Sequence, residues 1–170
     1  WLFNLASNYS INIFKNQKIK IAERLLEHID IIPNSIAIAQ AAKESGWGTS
    51  RFAKEGNALF GQWTYNDKNG FLPSNRLEGE IHLIKSFNTI GDSVRSYMNN
   101  INTHNAYKGF REIRAGYRKS NLDLDPYVLV NELSPYAELK NYTEILKVIM
   151  ESNKLFLFDN IILVDEESLV

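Results

Sequence analysis

Ile36–Ser50 reads IAIAQAAKESGWGTS, and this stretch decides the fold. From Ile36 to Ala42 nearly every residue is small or apolar, so a helix here has almost no polar face to turn toward solvent. A helix that is apolar all round belongs at the centre of a domain. Pro33 opens it, since the missing proline N–H is not needed in a first helical turn. Gly46 and Gly48 stop it. Glu44 thus stands at the C-terminal end of a buried helix, just before a tryptophan held between two glycines. The negative end of the helix dipole and apolar surroundings both disfavour an ionised carboxyl there. The dipole contributes less than about 1 kcal/mol, so burial is expected to be the larger cause. A carboxylic acid kept protonated near neutral pH is suited to protonating a glycosidic oxygen. The competing reading of the same residues is a surface or salt-bridged Glu44 beside a Trp47 that only fills core.

Outward from this helix the chain continues in helical spacing. Ile21, Leu25 and Ile29 recur every four residues over 18–29. Ser50 can cap a short helix through Lys54 that Gly56 ends. Asn, Asp, Gly, Pro and Ser dominate 66–80, which reads as a loop, expected to be mobile and to close over a substrate. Alternation over Glu80–Phe87 predicts a strand, and with the aromatic stretch Ala58–Tyr65 it suggests one small β-hairpin. Asp92 is the expected cap of a helix through Thr103, and further helices are expected over Ala106–Lys119, Pro126–Leu133 and Leu139–Ser152. The apolar and acidic end, 155–170, reads as a separate tail after a domain of 1–154: a strand, an extended arm packed on the body, or a crystal-contact element.

Composition sets the outer limits. A chain of 170 residues buries roughly 70 % of its extended surface, enough for one domain and hardly two. Hydrophobic residues at 44 % and charged residues at 23 % exclude wholesale disorder. The net charge of −1 argues against a polybasic nucleic-acid binder. Cysteine is absent, which removes disulfides, thiolate metal sites and cysteine nucleophiles. No apolar run approaches the ~20 residues of a membrane-spanning helix. A first residue Trp1 in place of Met reads as a trimmed fragment whose export signal is missing. His28, His82 and His104 lie too far apart in sequence for a local metal motif, and packing or capping roles are expected of them.

The stretch AAKESGWGTSRFAKEGNALFGQW, residues 41–63, resembles the signature of glycoside hydrolase family 73, in its bacterial Bax-like glucosaminidase branch. FNTIGDSVRSYMNNINTHNAY (87–107) and SPYAELKNYTEIL (134–146) fit the same branch in the expected order. The resemblance implies a mainly α, lysozyme-like helical domain with a small β lobe. It also implies endo-β-N-acetylglucosaminidase action on peptidoglycan glycan strands in the cell envelope, without a metal or organic cofactor. The oligomeric state is not legible in the sequence, and a monomer is the expectation. By the resemblance Glu44 is the general acid, and Tyr136 is the supporting tyrosine of a motif that also holds Tyr142. A second carboxylate is expected in the hairpin, at Glu80 or Glu78. Without one, the acetamido oxygen of the substrate can serve as nucleophile. Trp47, Asn57, Phe60, Gln62, Trp63 and Tyr142 are the expected sugar contacts, with aromatic rings as platforms and amides as hydrogen-bonding partners. Tyr65 and Phe71 are further aromatic candidates in the lobe. A lytic transglycosylase and a catalytically silent glycan-binding module remain as alternatives.

Overall fold

Why the chain folds around one helix is visible in where its small side chains fall. The computed structural model describes residues 1–11, 18–65, 70–72 and 83–161. Its helices are α1 (Leu2–Asn8), α2 (Lys18–His28), α3 (Asn34–Ser45), α4 (Arg51–Gly56), α5 (Ile90–Thr103), α6 (Lys108–Lys119), α7 (Pro126–Leu129) and α8 (Tyr142–Ser152). Short 3-10 turns occupy Asn105–Tyr107, Val130–Tyr136 and Leu155–Phe158. Alanines along α3 allow α8 to approach closely, and Ile36, Ala39, Leu146 and Met150 are buried between them. Tyr97 and Ile101 of α5, Phe110 of α6, and Leu129, Val130 and Leu133 complete the same core. α1 and α2 close a smaller cluster around Ala6, Ile11, Ile21 and Leu25.

The small lobe is a three-stranded antiparallel sheet of β1 (Trp63–Thr64), β2 (Gly70–Phe71) and β3 (Leu83–Lys85), in the order β1-β3-β2. A single hairpin was expected; instead β3 lies in the middle, with Ile84 opposite both Trp63 and Phe71. Pairing on both sides satisfies the backbone groups of the strand that carries the lobe's buried Leu83. The loop expected over 66–80 lies outside the described residues except for Gly70, Phe71 and Leu72, as do Glu78, Glu80 and His82.

Helix ends show where sequence patterns misplace caps. Thr89, not Asp92, caps α5: Thr89 Oγ1 accepts from Asp92 N at 3.1 Å, and Asp92 Oδ2 accepts from Thr89 N at 3.2 Å. Asp92 is the third-residue partner of a capping box, which places an acid near the N-terminus in either reading. Ser50 caps α4 as expected, accepting from Ala53 N. The helix expected over Pro126–Leu133 tightens into a 3-10 turn from Val130, and the last long helix starts at Tyr142, not Leu139. Residues 155–158 form a 3-10 turn packed on the body, and 162–170 of the expected tail lie outside the described residues. Leu155 is buried in the main core, Asn34 Nδ2 donates to Phe158 O at 2.7 Å, and Ser35 N donates to Asp159 Oδ1 at 2.8 Å.

One buried cation ties the two clusters together. Arg114 on α6 is 1 % exposed, and its Nη atoms donate to the carbonyls of Glu27, Asp30 and Ile31 and to Asn102 Oδ1. It thereby occupies the carbonyl-rich end of α2, where a positive charge is favoured. Burial pulls the Arg114 guanidinium down to about 10, which still leaves it charged at neutral pH. Burial alone would raise the Asp30 carboxyl, yet the Arg118 fork, at 2.9 Å to each oxygen, holds it below the ordinary range. Arg114→Ala strands four acceptors at once, and we expect it to cost about 3–5 kcal/mol. Urea denaturation checks this as a lowered midpoint with an unchanged slope. Arg114→Lys should recover only a minor part, because one ammonium cannot span those carbonyls.

Candidate active site

The C-terminal end of α3 reverses within three residues. Gly46, Trp47 and Gly48 have φ of 58°, 57° and 73°. Glycine adopts this left-handed backbone freely, whereas Trp47 holds it at a cost. Ser45 fastens the reversal: its hydroxyl donates to Ala41 O and accepts from Gly48 N at 2.7 Å. The Trp47 ring is left 59 % exposed at the end of the helix.

Glu44, one residue before this reversal, is half-buried. Its Oε1 accepts a hydrogen bond from the Tyr142 hydroxyl at 2.8 Å. Its Oε2 lies beneath Gly61, where a side-chain Cβ would come within 3.2 Å of it; Gly61 also has a φ of 60°. Burial raises the Glu44 carboxyl above its ordinary range, while the Tyr142 hydrogen bond and the nearby Lys43 charge act the other way. The cause expected to dominate is the one that does.

Behind Tyr142 runs a directional chain. Tyr97 OH donates to Gln40 Oε1 at 2.6 Å, and Gln40 Nε2 donates to Tyr142 OH at 3.1 Å. With its oxygen receiving the Gln40 donor, Tyr142 directs its own proton to Glu44. Tyr97 and Gln40 are fully buried, and burial holds the Tyr97 and Tyr142 hydroxyls in their neutral, donating forms. Neither Gln40 nor Tyr97 was singled out from sequence. The signal for Gln40 was its position, a lone amide in an apolar helix, one turn before Glu44 and therefore on the same face.

The other expected residues divide by what their polar atoms and rings already do. Tyr136 is stacked against Tyr142 with centroids 5.9 Å apart, but its hydroxyl donates to Phe60 O at 2.8 Å. The tyrosine that hydrogen-bonds Glu44 is therefore Tyr142, and Tyr136 packs beside it and ties down the Phe60 carbonyl next to Gly61. Phe60 is 3 % exposed and stacked on Tyr97 at 4.1 Å, so its ring face belongs to the core and not to a sugar platform. Asn57 is the left-handed cap of α4, and its amide donates to Phe87 O and Asn88 O, which joins the helical body to the lobe. The Gln62 side-chain oxygen is buried without a hydrogen-bond partner among the described residues. Trp63 and Tyr65 are 58 % and 70 % exposed and offer ring surface, whereas Phe71 packs on Gly56. Glu80 lies outside the described residues. His104 accepts from Ala106 N and caps a 3-10 turn, and His28 Nδ1 bonds the Arg24 carbonyl.

The family described as Glucosaminidase, mannosyl-glycoprotein endo-beta-N-acetylglucosaminidase, matches residues 19–155. Protein bax of Escherichia coli (strain K12) is 32% identical over 154 residues, which cover 90% of this chain and 54% of that protein. The chain thus spans about half the length of this curated relative. No solved structure matches it significantly. Among the described residues no helix is long and apolar enough to cross a membrane. A mainly α, lysozyme-like domain with a small β lobe, matched along most of its length by one family, makes the chain a member of the glucosaminidase family.

Proposed function

We propose that this chain is an endo-β-N-acetylglucosaminidase that cuts the β-1,4 bond after N-acetylglucosamine in peptidoglycan glycan strands, with Glu44 as general acid. The observation that carries this reading is the state of the Glu44 carboxyl: half-buried, raised by burial, one oxygen held by Tyr142 and the other beneath Gly61. Oε2 makes no hydrogen bond among the described residues, so in this reading it carries the transferable proton. The family match supports a glycosidase acting on N-acetylglucosaminyl linkages. The choice of a bacterial wall glycan, and an envelope location, follow from the resemblance of the 41–63 signature.

In the proposed reaction Glu44 Oε2 gives its proton to the bridging oxygen as the bond from that oxygen to the anomeric carbon breaks. The substrate's own acetamido oxygen forms the new bond to that carbon, giving a cyclic intermediate. Water then opens it, losing a proton to the Glu44 carboxylate, which restores the acid. Tyr142 stabilises the carboxylate between these steps, and as a positioning residue it keeps Oε1 occupied so that Oε2 faces the substrate. Trp47 and Trp63 supply exposed ring faces for sugars on the two sides of the junction. The substrate-assisted form is preferred because an N-acetylglucosamine at the cleaved position carries its own acetamido oxygen, so no enzyme nucleophile is required.

Three outcomes test this reading. Glu44→Gln should reduce release of fragments from sacculi by about 10²–10⁴-fold, with mass spectrometry of the wild-type products showing N-acetylglucosamine at the reducing end. An anhydro end would establish a transglycosylase instead, and Glu80→Gln as damaging as Glu44→Gln would replace the acetamido nucleophile by a second carboxylate. Tyr142→Phe should lower kcat roughly tenfold and move the alkaline limb of the pH profile upward, because a bond favouring the ionised carboxyl has been removed. The folded protein also binds the Glu44 proton more tightly than the unfolded chain does, so stability falls as pH rises from the unfolded to the folded value. Glu44→Gln should therefore be the more stable protein at pH 8, with the advantage fading at pH 4 in thermal melts.

A further inference from the structure

A polar pocket of about 600 Å³ lies where the end of α2, the end of α5 and the start of α6 meet, and it shares no lining residue with the Glu44 site. Arg24, Lys108 and Arg111 bring three cations to it, and His28 and His104 line it as well. The decisive group is Arg111, which is 4 % exposed. Its Nη1 donates to Ile101 O at 2.8 Å and His104 O at 2.9 Å. On the opposite edge Nε is buried without a hydrogen-bond partner among the described residues. A guanidinium edge of two parallel N–H groups matches a carboxylate or phosphate bidentately. Leaving it unmade in a buried setting costs free energy that a bound acceptor would recover.

The remaining groups favour the same kind of ligand. His104 accepts the Ala106 N–H at Nδ1, so a neutral ring carries its proton on Nε2 as a donor. The pocket also receives the N-terminus of α6, whose dipole favours negative charge. Two carboxylates share the wall and both act on Arg111, but each also pairs with a lysine, Glu112 with Lys108 at 3.3 Å and Glu27 with Lys119 at 3.6 Å, which leaves the pocket's three cations in excess of its two acids. Burial, then the charges of Arg111 and Arg24, hold His28 below its usual range, with the Arg24 carbonyl and Glu27 opposing. A bound anion would relieve that repulsion.

We propose that this pocket is a second binding site, selective for an oxyanion of the carboxylate or phosphate type, completed by the free edge of Arg111. The site is independent of the catalytic reading. Its test is a titration of the full chain with sodium phosphate and, separately, sodium acetate, each at ionic strength matched with sodium chloride. Histidine ring signals are followed by NMR, since His28 and His104 both line the pocket. Saturable shifts of His28 and His104, with the His28 titration midpoint moved upward, are expected for at least one of the two anions. The anion bound more tightly identifies the source as a free or esterified phosphate or as an acid group. Because Arg111 also holds two carbonyls, the exposed Arg24→Gln and Lys108→Gln are the informative variants, and each should weaken binding about tenfold while Glu44→Gln leaves it unchanged. Equal shifts with chloride alone, or affinity unaltered in both variants, would overturn the proposal.

Discussion

The hydrogen-bond chain from Tyr97 through Gln40 and Tyr142 to Glu44 is the interaction on which the candidate site depends. Every donor in it has one acceptor, and reversing any member leaves a buried group unpaired. Such a network specifies a unique arrangement because a half-satisfied alternative is costly in a low-dielectric interior. It joins three helices, α5, α3 and α8, so the position of one carboxyl oxygen follows from the packing of the main core. Gly61 completes the constraint from the side of the lobe.

How much of this could be read beforehand depended on the kind of information each residue carries. The central helix was legible because Ile36–Ala42 lacks a polar face, and Gly46 marked its end; both are local properties. The environment of Glu44 was legible for the same reason. The choice between Tyr136 and Tyr142 was not, since six residues of spacing say nothing about which hydroxyl reaches a carboxyl and which reaches a carbonyl. Phe60 misled in a similar way: an aromatic beside a candidate loop is equally consistent with a platform and with core. Only the stacking on Tyr97 separates them. Strand order was also hidden, because alternation identifies β3 without revealing that it pairs on both edges.

Electrostatics divides the molecule into regions with different tasks. Near Glu44, charge is scarce among the described residues, and burial is the largest influence on its carboxyl. At the α2–α6 contact, charge is abundant and matched: Arg114 and Arg118 converge on Asp30 and the carbonyls around it. Between these extremes lies the Arg111 pocket, where cations outnumber their immediate partners. A buried cation that ends another helix makes the relative placement of two helices strict, since hydrophobic contact alone tolerates sliding while a fork of N–H groups does not.

The contact of Asp159 with the first turn of α3 carries a consequence for how this chain is handled. The backbone amide of Ser35 is one of the orphan donors of a helix start, and no side chain from the preceding loop serves it. Its acceptor comes from 124 positions further along the polypeptide. Clipping by a protease anywhere between Asn153 and Asp159 would consequently fray the opposite end of the very helix that presents Glu44. Damage at the carboxyl-terminal side would register as loosened geometry at a site it never touches.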